Sequence, residues 1–241
     1  MLCPIRRFFC NIQPYNPGLS IKRCPSNIFP ITTVNPGSNF NCLYSRYRSY
    51  DESYSTIPTK ISKSEVALIN TLRMLWEQHI AWTRMTIVSI LAGLPDINLV
   101  IDRLLRNPID FEKALKPFYG DRIASQFRDL FKSHLIIAAE LVKAAKAGNN
   151  QAAANAEKRW YANADEIANF LGRINPYWSQ KDWQTMLHEH LKLTKSEAID
   201  ILTGNYAGSI KLYDEIEKQA LKMADVMSKG IVKQFLEKFT R

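Results

Sequence analysis

Cysteine is confined to the start of this 241-residue chain, where Cys3, Cys10, Cys24 and Cys42 are the only four. Everything after residue 42 must fold without disulfides, which fits a reducing compartment and a cytoplasmic protein. No CxxC pair occurs among the four, and the wide, uneven intervals between them match no zinc motif. Glycine is scarce at nine residues, few for an enzyme built around phosphate-gripping loops. No GxxxxGKS or GxxxxGKT loop, GxSxG elbow or HExxH helix occurs. No apolar run reaches about 18 residues, so no membrane-spanning helix is expected. Two-residue apolar alternation is absent as well, which argues against strands.

Acidic residues are missing from the first fifty positions, which hold six of the eleven prolines and six basic residues. Of the net charge of +9, the tail carries +6 and the rest, 26 basic against 23 acidic residues, only +3. The basic balance is thus a property of the tail, and no nucleic acid partner is expected for the folded part. Without a helical or strand-like apolar period, and interrupted by proline, residues 1–60 read as a disordered basic extension rich in Pro and Cys. The alternatives are a start site placed too early, an organellar targeting segment or a working tail. Residues 61–241 read as one bundle domain.

What is present there is helical. Ser62 and Glu65 stand at capping-box spacing. Apolar residues then recur every three or four positions through Leu68, Leu72, Leu75, Trp76, Ile80, Ile87 and Ile90 up to Gly93. Further helices are predicted from Asp96 to Lys116 with a break at Pro108, from Asp121 to Ala147, and from Asn150 to Leu171 before Gly172. Two more are predicted from Ser179 to Gly204 and from Ala207 to Phe239. The fold class is all-α, an up-and-down bundle of about six helices.

The chain also resembles itself. Leu75-Trp76-Glu77-Gln78-His79-Ile80 matches Leu130-Phe131-Lys132-Ser133-His134-Leu135 and Met186-Leu187-His188-Glu189-His190-Leu191, and the three copies are almost evenly spaced. Each His is also followed by a Gly at one and the same distance: His79 by Gly93, His134 by Gly148 and His190 by Gly204. Three repeated helical hairpins are expected, with the three His at one height, about 21 Å from the glycine ends. Each of these His shares its helix face with apolar residues, whereas His188 falls on a solvated face. Folding each second helix back brings Asn163 and Gln219 level with the His; in the first hairpin Pro108 takes that place, with Asn107 beside it. The expected mid-bundle layer holds His79, His134, His190, Asn163, Gln219, Thr83 and Thr194, ringed by Trp76, Trp82, Trp160 and Trp183.

Three readings of that layer are open. Three neutral imidazoles could hold a divalent metal such as Zn, Fe or Mn, with His79, His134 and His190 as ligands. Against this, no carboxylate shares a His face, and the ExxH pair of di-iron bundles is absent. Asn163, Thr83, Thr194 and Gln219 could instead bind a small organic ligand or cofactor. The layer could also be a structural polar network in a non-catalytic interaction protein.

The stretches LWEQHIAWTR, RLLRNPIDFEKALKPFYG, SHLIIAAELVKAAKAGN, EKRWYANADEIANFLG and ILTGNYA resemble an uncharacterised family of helical proteins from bacilli and clostridia, over about residues 70 to 236. The resemblance implies a bacterial, soluble protein. Members of that family often carry the label acetylglutamate kinase. Acetylglutamate kinases have an α/β fold with glycine-rich phosphate loops, and this sequence offers neither, so the label is not carried over. By arrangement only, the three His are also similar to those of three-His metal-binding bundles of the DinB kind.

Overall fold

The computed structural model describes residues 61–240; the extension expected over 1–60 lies outside them. Five helices follow in chain order: α1 (Lys63–Ala92), α2 (Ile97–Lys146), α3 (Asn150–Ile174), α4 (Gln180–Leu202) and α5 (Tyr206–Gln234). A short 3-10 turn at Leu236–Lys238 closes the chain. There is no strand among the described residues. None of these helices is long and apolar enough to cross a membrane.

Local chemistry sets most helix ends. Ser62 Oγ accepts from the Glu65 N–H at 3.1 Å, and Ser179 Oγ from the Asp182 N–H at 3.2 Å. Asn149 and Asn205 cap α3 and α5 in the same way, through Ala152 N–H at 3.0 Å and Gly208 N–H at 3.2 Å. Each such cap supplies about 1 kcal/mol by satisfying a donor the helix cannot. At the other ends Gly93, Gly148 and Gly204 take left-handed φ of 68°, 67° and 80°.

The sequence predicted six helices; the structure has five, and the difference lies in α2. This helix runs through Pro108 and Pro117, so the break expected at Pro108 does not occur. Each proline forfeits one backbone hydrogen bond but leaves the helical path intact. The path turns instead at Gly120, whose φ of 74° and ψ of 172° are not helical. Contacts across this point show how sharply. Phe111 lies 5.8 Å from Phe127 and 5.2 Å from Phe131, ring centre to ring centre. Arg128 reaches Glu112 at 3.0 Å, although the stretch between them would span about 24 Å as straight helix. α2 therefore has two arms, 97–119 and 121–146, folded against each other. Gly172, expected to stop α3, lies inside it; a Cβ there would stand 2.9 Å from the Gln180 Cβ at the start of α4.

Successive helices pack on one another, and α1 also packs on α5, which closes the bundle. The main core runs from Leu68 and Leu72 through Phe111, Phe127, Phe131, Trp183 and Leu191 to Met223, Met227 and Ile231. A smaller cluster of Ile87, Ile90 and Val142 lies toward the glycine ends. Beyond the main core, Asn175 donates to the Tyr119 hydroxyl at 2.8 Å, which meets Gln234 Oε1 at 3.0 Å. That network ties α2, α5 and the α3–α4 connection at the end remote from Gly93.

Apart from the adjoining backbone, nothing lies within 4 Å of the position a Cβ would take on Gly120, so a side chain there is opposed only by its backbone conformation. Gly120→Ala should cost roughly 1–3 kcal/mol in urea unfolding at neutral pH. An unchanged midpoint would show that the reversal does not depend on this glycine.

Candidate functional site

The middle of the bundle is polar, and it is built from one arrangement met three times. Asn107 donates through Nδ2 to the Leu75 carbonyl at 2.9 Å, Asn163 to the Leu130 carbonyl at 3.2 Å, and Gln219 through Nε2 to the Met186 carbonyl at 2.7 Å. Each acceptor lies about one helical turn before a buried His: His79, His134 and His190.

His134 is fully partnered. The Asn163 Nδ2 already serves Leu130, so its Oδ1 faces His134 Nδ1 at 2.9 Å and must accept from it. Trp160 Nε1, which can only donate, meets His134 Nε2 at 3.0 Å. The two partners fix the neutral tautomer with its proton on Nδ1 and leave no free lone pair on the ring. His79 and His190 instead face each other, Nε2 to Nε2 at 3.4 Å. Their Nδ1 atoms have no hydrogen-bond partner, nor do Asn107 Oδ1, Gln219 Oε1 or the indole N–H groups of Trp76 and Trp183. The Phe131 ring touches both His79 (4.9 Å) and His134 (6.2 Å).

Burial drives all three imidazoles toward the neutral form. It holds His79 well below the ordinary 6.5, and the neighbouring His190 and His134 push further in that direction. Burial, then His190, lowers His134 to about 3 against the opposing hydrogen bond of Asn163. His190 falls to about 4, with burial the dominant cause.

One turn beyond the His layer, toward the glycine ends, a cavity of about 280 Å³ opens between α1, both arms of α2, α3 and α4. Ala138, Ala139, Ala145, Ala153, Ala154 and Ala198 leave it room, and Ile87, Ile90, Leu135 and Val142 make its walls apolar. Thr83, Thr86 and Thr194 supply its only hydroxyls. Thr83 donates to the His79 carbonyl at 2.7 Å, but Thr86 Oγ1 and Thr194 Oγ1 have no partner although each residue is 3% exposed. Trp160 also lines the cavity, which joins it to the His134 cluster. Its charged lining residues, Glu157 and Lys195, pair with each other at 2.6 Å.

The residues singled out by sequence thus divide. His79 and His190 come together, while His134, Asn163 and Trp160 form a self-contained group. Among the described residues no group of three or more His, Cys, Asp and Glu is placed to hold a metal ion. Thr83 and Thr194 line the cavity, and Gln219 braces α4. His188 is half-exposed and pairs with Asp165 at 2.7 Å. Asn107, not Pro108, occupies the third bracing position. Sequence reasoning missed the alanine-lined cavity and the pairing of the partly exposed Arg84 with the buried Glu197, which joins α1 to α4. Burial raises the Glu197 carboxyl above its usual range, and Arg84 opposes the rise. Arg84 also reaches the Ser209 carbonyl at 3.3 Å and lies over the Tyr213 ring, so it binds α5 as well.

The neutral imidazoles make stability depend on pH. Unfolded, each His takes up a proton near 6.5; folded, it stays neutral to about 4 for His190 and about 3 for His134. Below 6.5 the unfolded chain binds more protons, so stability is intact above that pH and drains as pH falls. Each His removes roughly 1.4 kcal/mol per pH unit, the three together roughly 4 kcal/mol per unit from about pH 6 downward. Urea unfolding between about pH 7 and 5, above the range of most carboxylates, measures this slope; a flat profile there would show that the layer is not held neutral.

No family model matches the chain, and no curated protein or solved structure matches it.

Proposed function

We propose that this protein binds a small organic molecule in the cavity beside the His layer, and that the layer itself is the structural floor of that site. The observation that carries the reading is the cavity of about 280 Å³ with the unpartnered hydroxyls of Thr86 and Thr194 in its lining. An apolar cavity of roughly 150 Å³ is already enough to bind benzene. A few convergent polar groups in an apolar concavity are the usual composition of a ligand site. Metal binding is the weaker reading, because His134 commits one nitrogen to Asn163 and the other to Trp160. A nucleotide, as the kinase label would require, would need cations for its phosphates, and the one lysine in the lining is paired with Glu157.

We infer further that the bundle consists of three repeated hairpins of similar length. Support comes from the three amide-to-carbonyl bonds, whose donors Asn107, Asn163 and Gln219 are evenly spaced along the chain. Asn107→Ala and Gln219→Ala should each lose roughly 1–3 kcal/mol, since each leaves a buried carbonyl short of its second donor, and Asn163→Ala should lose more, because it also leaves the His134 Nδ1–H unpaired. A variant among them as stable as the parent would break the equivalence.

Binding is tested by thermal melting of the full chain against a panel of small apolar and polar compounds. A ligand at a hundred times its Kd should stabilise the fold by about 2.7 kcal/mol. Ala198→Phe, which fills the cavity, should remove the shift, and Ala154→Phe at its exposed rim should weaken it. If no compound raises the melting temperature, or if Ala198→Phe responds like the parent, the cavity is not a binding site.

A further inference from the structure

We infer that the ligand of this cavity is a neutral aliphatic molecule with a single hydroxyl or carbonyl head, seated with that head on the threonines and its chain toward the glycine ends. The inference rests on the binding role proposed above and adds the chemical class.

The walls set the body of the ligand. They are made of aliphatic carbon from Ile87, Ile90, Leu91, Leu135, Leu141 and Val142, together with the alanines. The one aromatic ring in the lining is Trp160, whose indole N–H is already committed to His134. A polar or multiply hydroxylated ligand would lose its water to these aliphatic walls, since the polar lining outside the threonines is limited to Asn150 and the mutually paired Glu157 and Lys195.

The floor sets the head. Thr83, Thr86 and Thr194 approach the cavity from α1 and α4, and Thr83 and Thr194 stand about one helical turn after His79 and His190. Thr83 has its proton engaged by the His79 carbonyl and can only accept. Thr86 and Thr194 are free both to donate and to accept. Two buried hydroxyls without partners cost the fold stability unless a guest completes them. An alcohol oxygen can accept from one and donate to another, and a carbonyl oxygen can accept from both.

Charge is excluded by the surroundings. The imidazoles nearest the threonines are buried and neutral, the Glu157–Lys195 pair is internally compensated, and Lys146 is bound to the Ile90 carbonyl at 2.5 Å. A carboxylate or ammonium head would enter the floor with no counter-ion to offset its desolvation.

Calorimetric titration of the full chain with n-octanol, n-octane, octanoate and octylamine tests the assignment. n-Octanol should bind, n-octane about five- to tenfold more weakly for want of one hydrogen bond, and the two ions more weakly still. Thr194→Val keeps the shape but removes the hydroxyl, and should weaken n-octanol about five- to tenfold while leaving n-octane unchanged. Thr86→Val provides the same comparison from α1, should the first variant fold poorly. Equal binding of n-octanol and n-octane, unaltered by either substitution, would overturn the threonine-bound head while leaving the cavity a binding site. Preference for octanoate or octylamine would overturn the neutral class. Failure of all four ligands, on a chain whose melting temperature responds to no other compound, would overturn the binding role itself.

Discussion

Three hydrogen bonds from side-chain amides to backbone carbonyls, each joining two neighbouring helices, hold the centre of this bundle in register. Each of the imidazoles of His79, His134 and His190 sits one turn beyond a backbone carbonyl that takes a second hydrogen bond from a carboxamide on the neighbouring helix. That bond does two things at once. It engages the amide N–H, and it fixes how far each pair of helices can slide, because a shift of one residue, about 1.5 Å, would break it. The cavity depends on this alignment: only with the helices at this height do the alanines of α2, α3 and α4 face one another with Thr83, Thr86 and Thr194 beneath them.

Much of this was legible in the sequence, for reasons that can be located. The His positions stood out because helical spacing and the glycines that end their helices are both local signals. Asn163 and Gln219 followed by folding a helix back over a turn of known length. The same count places Pro108 rather than Asn107 level with His79, because the first return, counted from Gly93, is slightly shorter than those from Gly148 and Gly204. Proline also misled over α2: it removes one hydrogen bond, whereas the reversal needs a backbone conformation that Gly120 adopts at φ 74°.

The cavity was not legible, and the reason is general. Ala153 and Ala154 read as good helix formers, which they are, and a missing volume has no letter of its own. Room becomes visible only when the facing helix also presents small residues, here Ala138, Ala139 and Ala198, and that requires the tertiary arrangement. Glu197 was hidden for the same reason: a carboxylate in a helical stretch reads as solvated, and only its placement beside Arg84 makes it part of the interior.

The packing of α1 on α5 has a consequence for topology. Ser64 at the start of α1 hydrogen-bonds the carbonyl of Lys238 in the last turn, at 3.5 Å. Within the described residues the helices therefore form a ring whose ends touch, and the break between first and last helix is one of several places where the ring could be open. A circular permutant joining residues 61 and 240 by a short linker and opened at Gly148 or Gly204, both exposed turn positions, would retain every helix–helix interface. The order in which the chain is written is then separable from the architecture it makes.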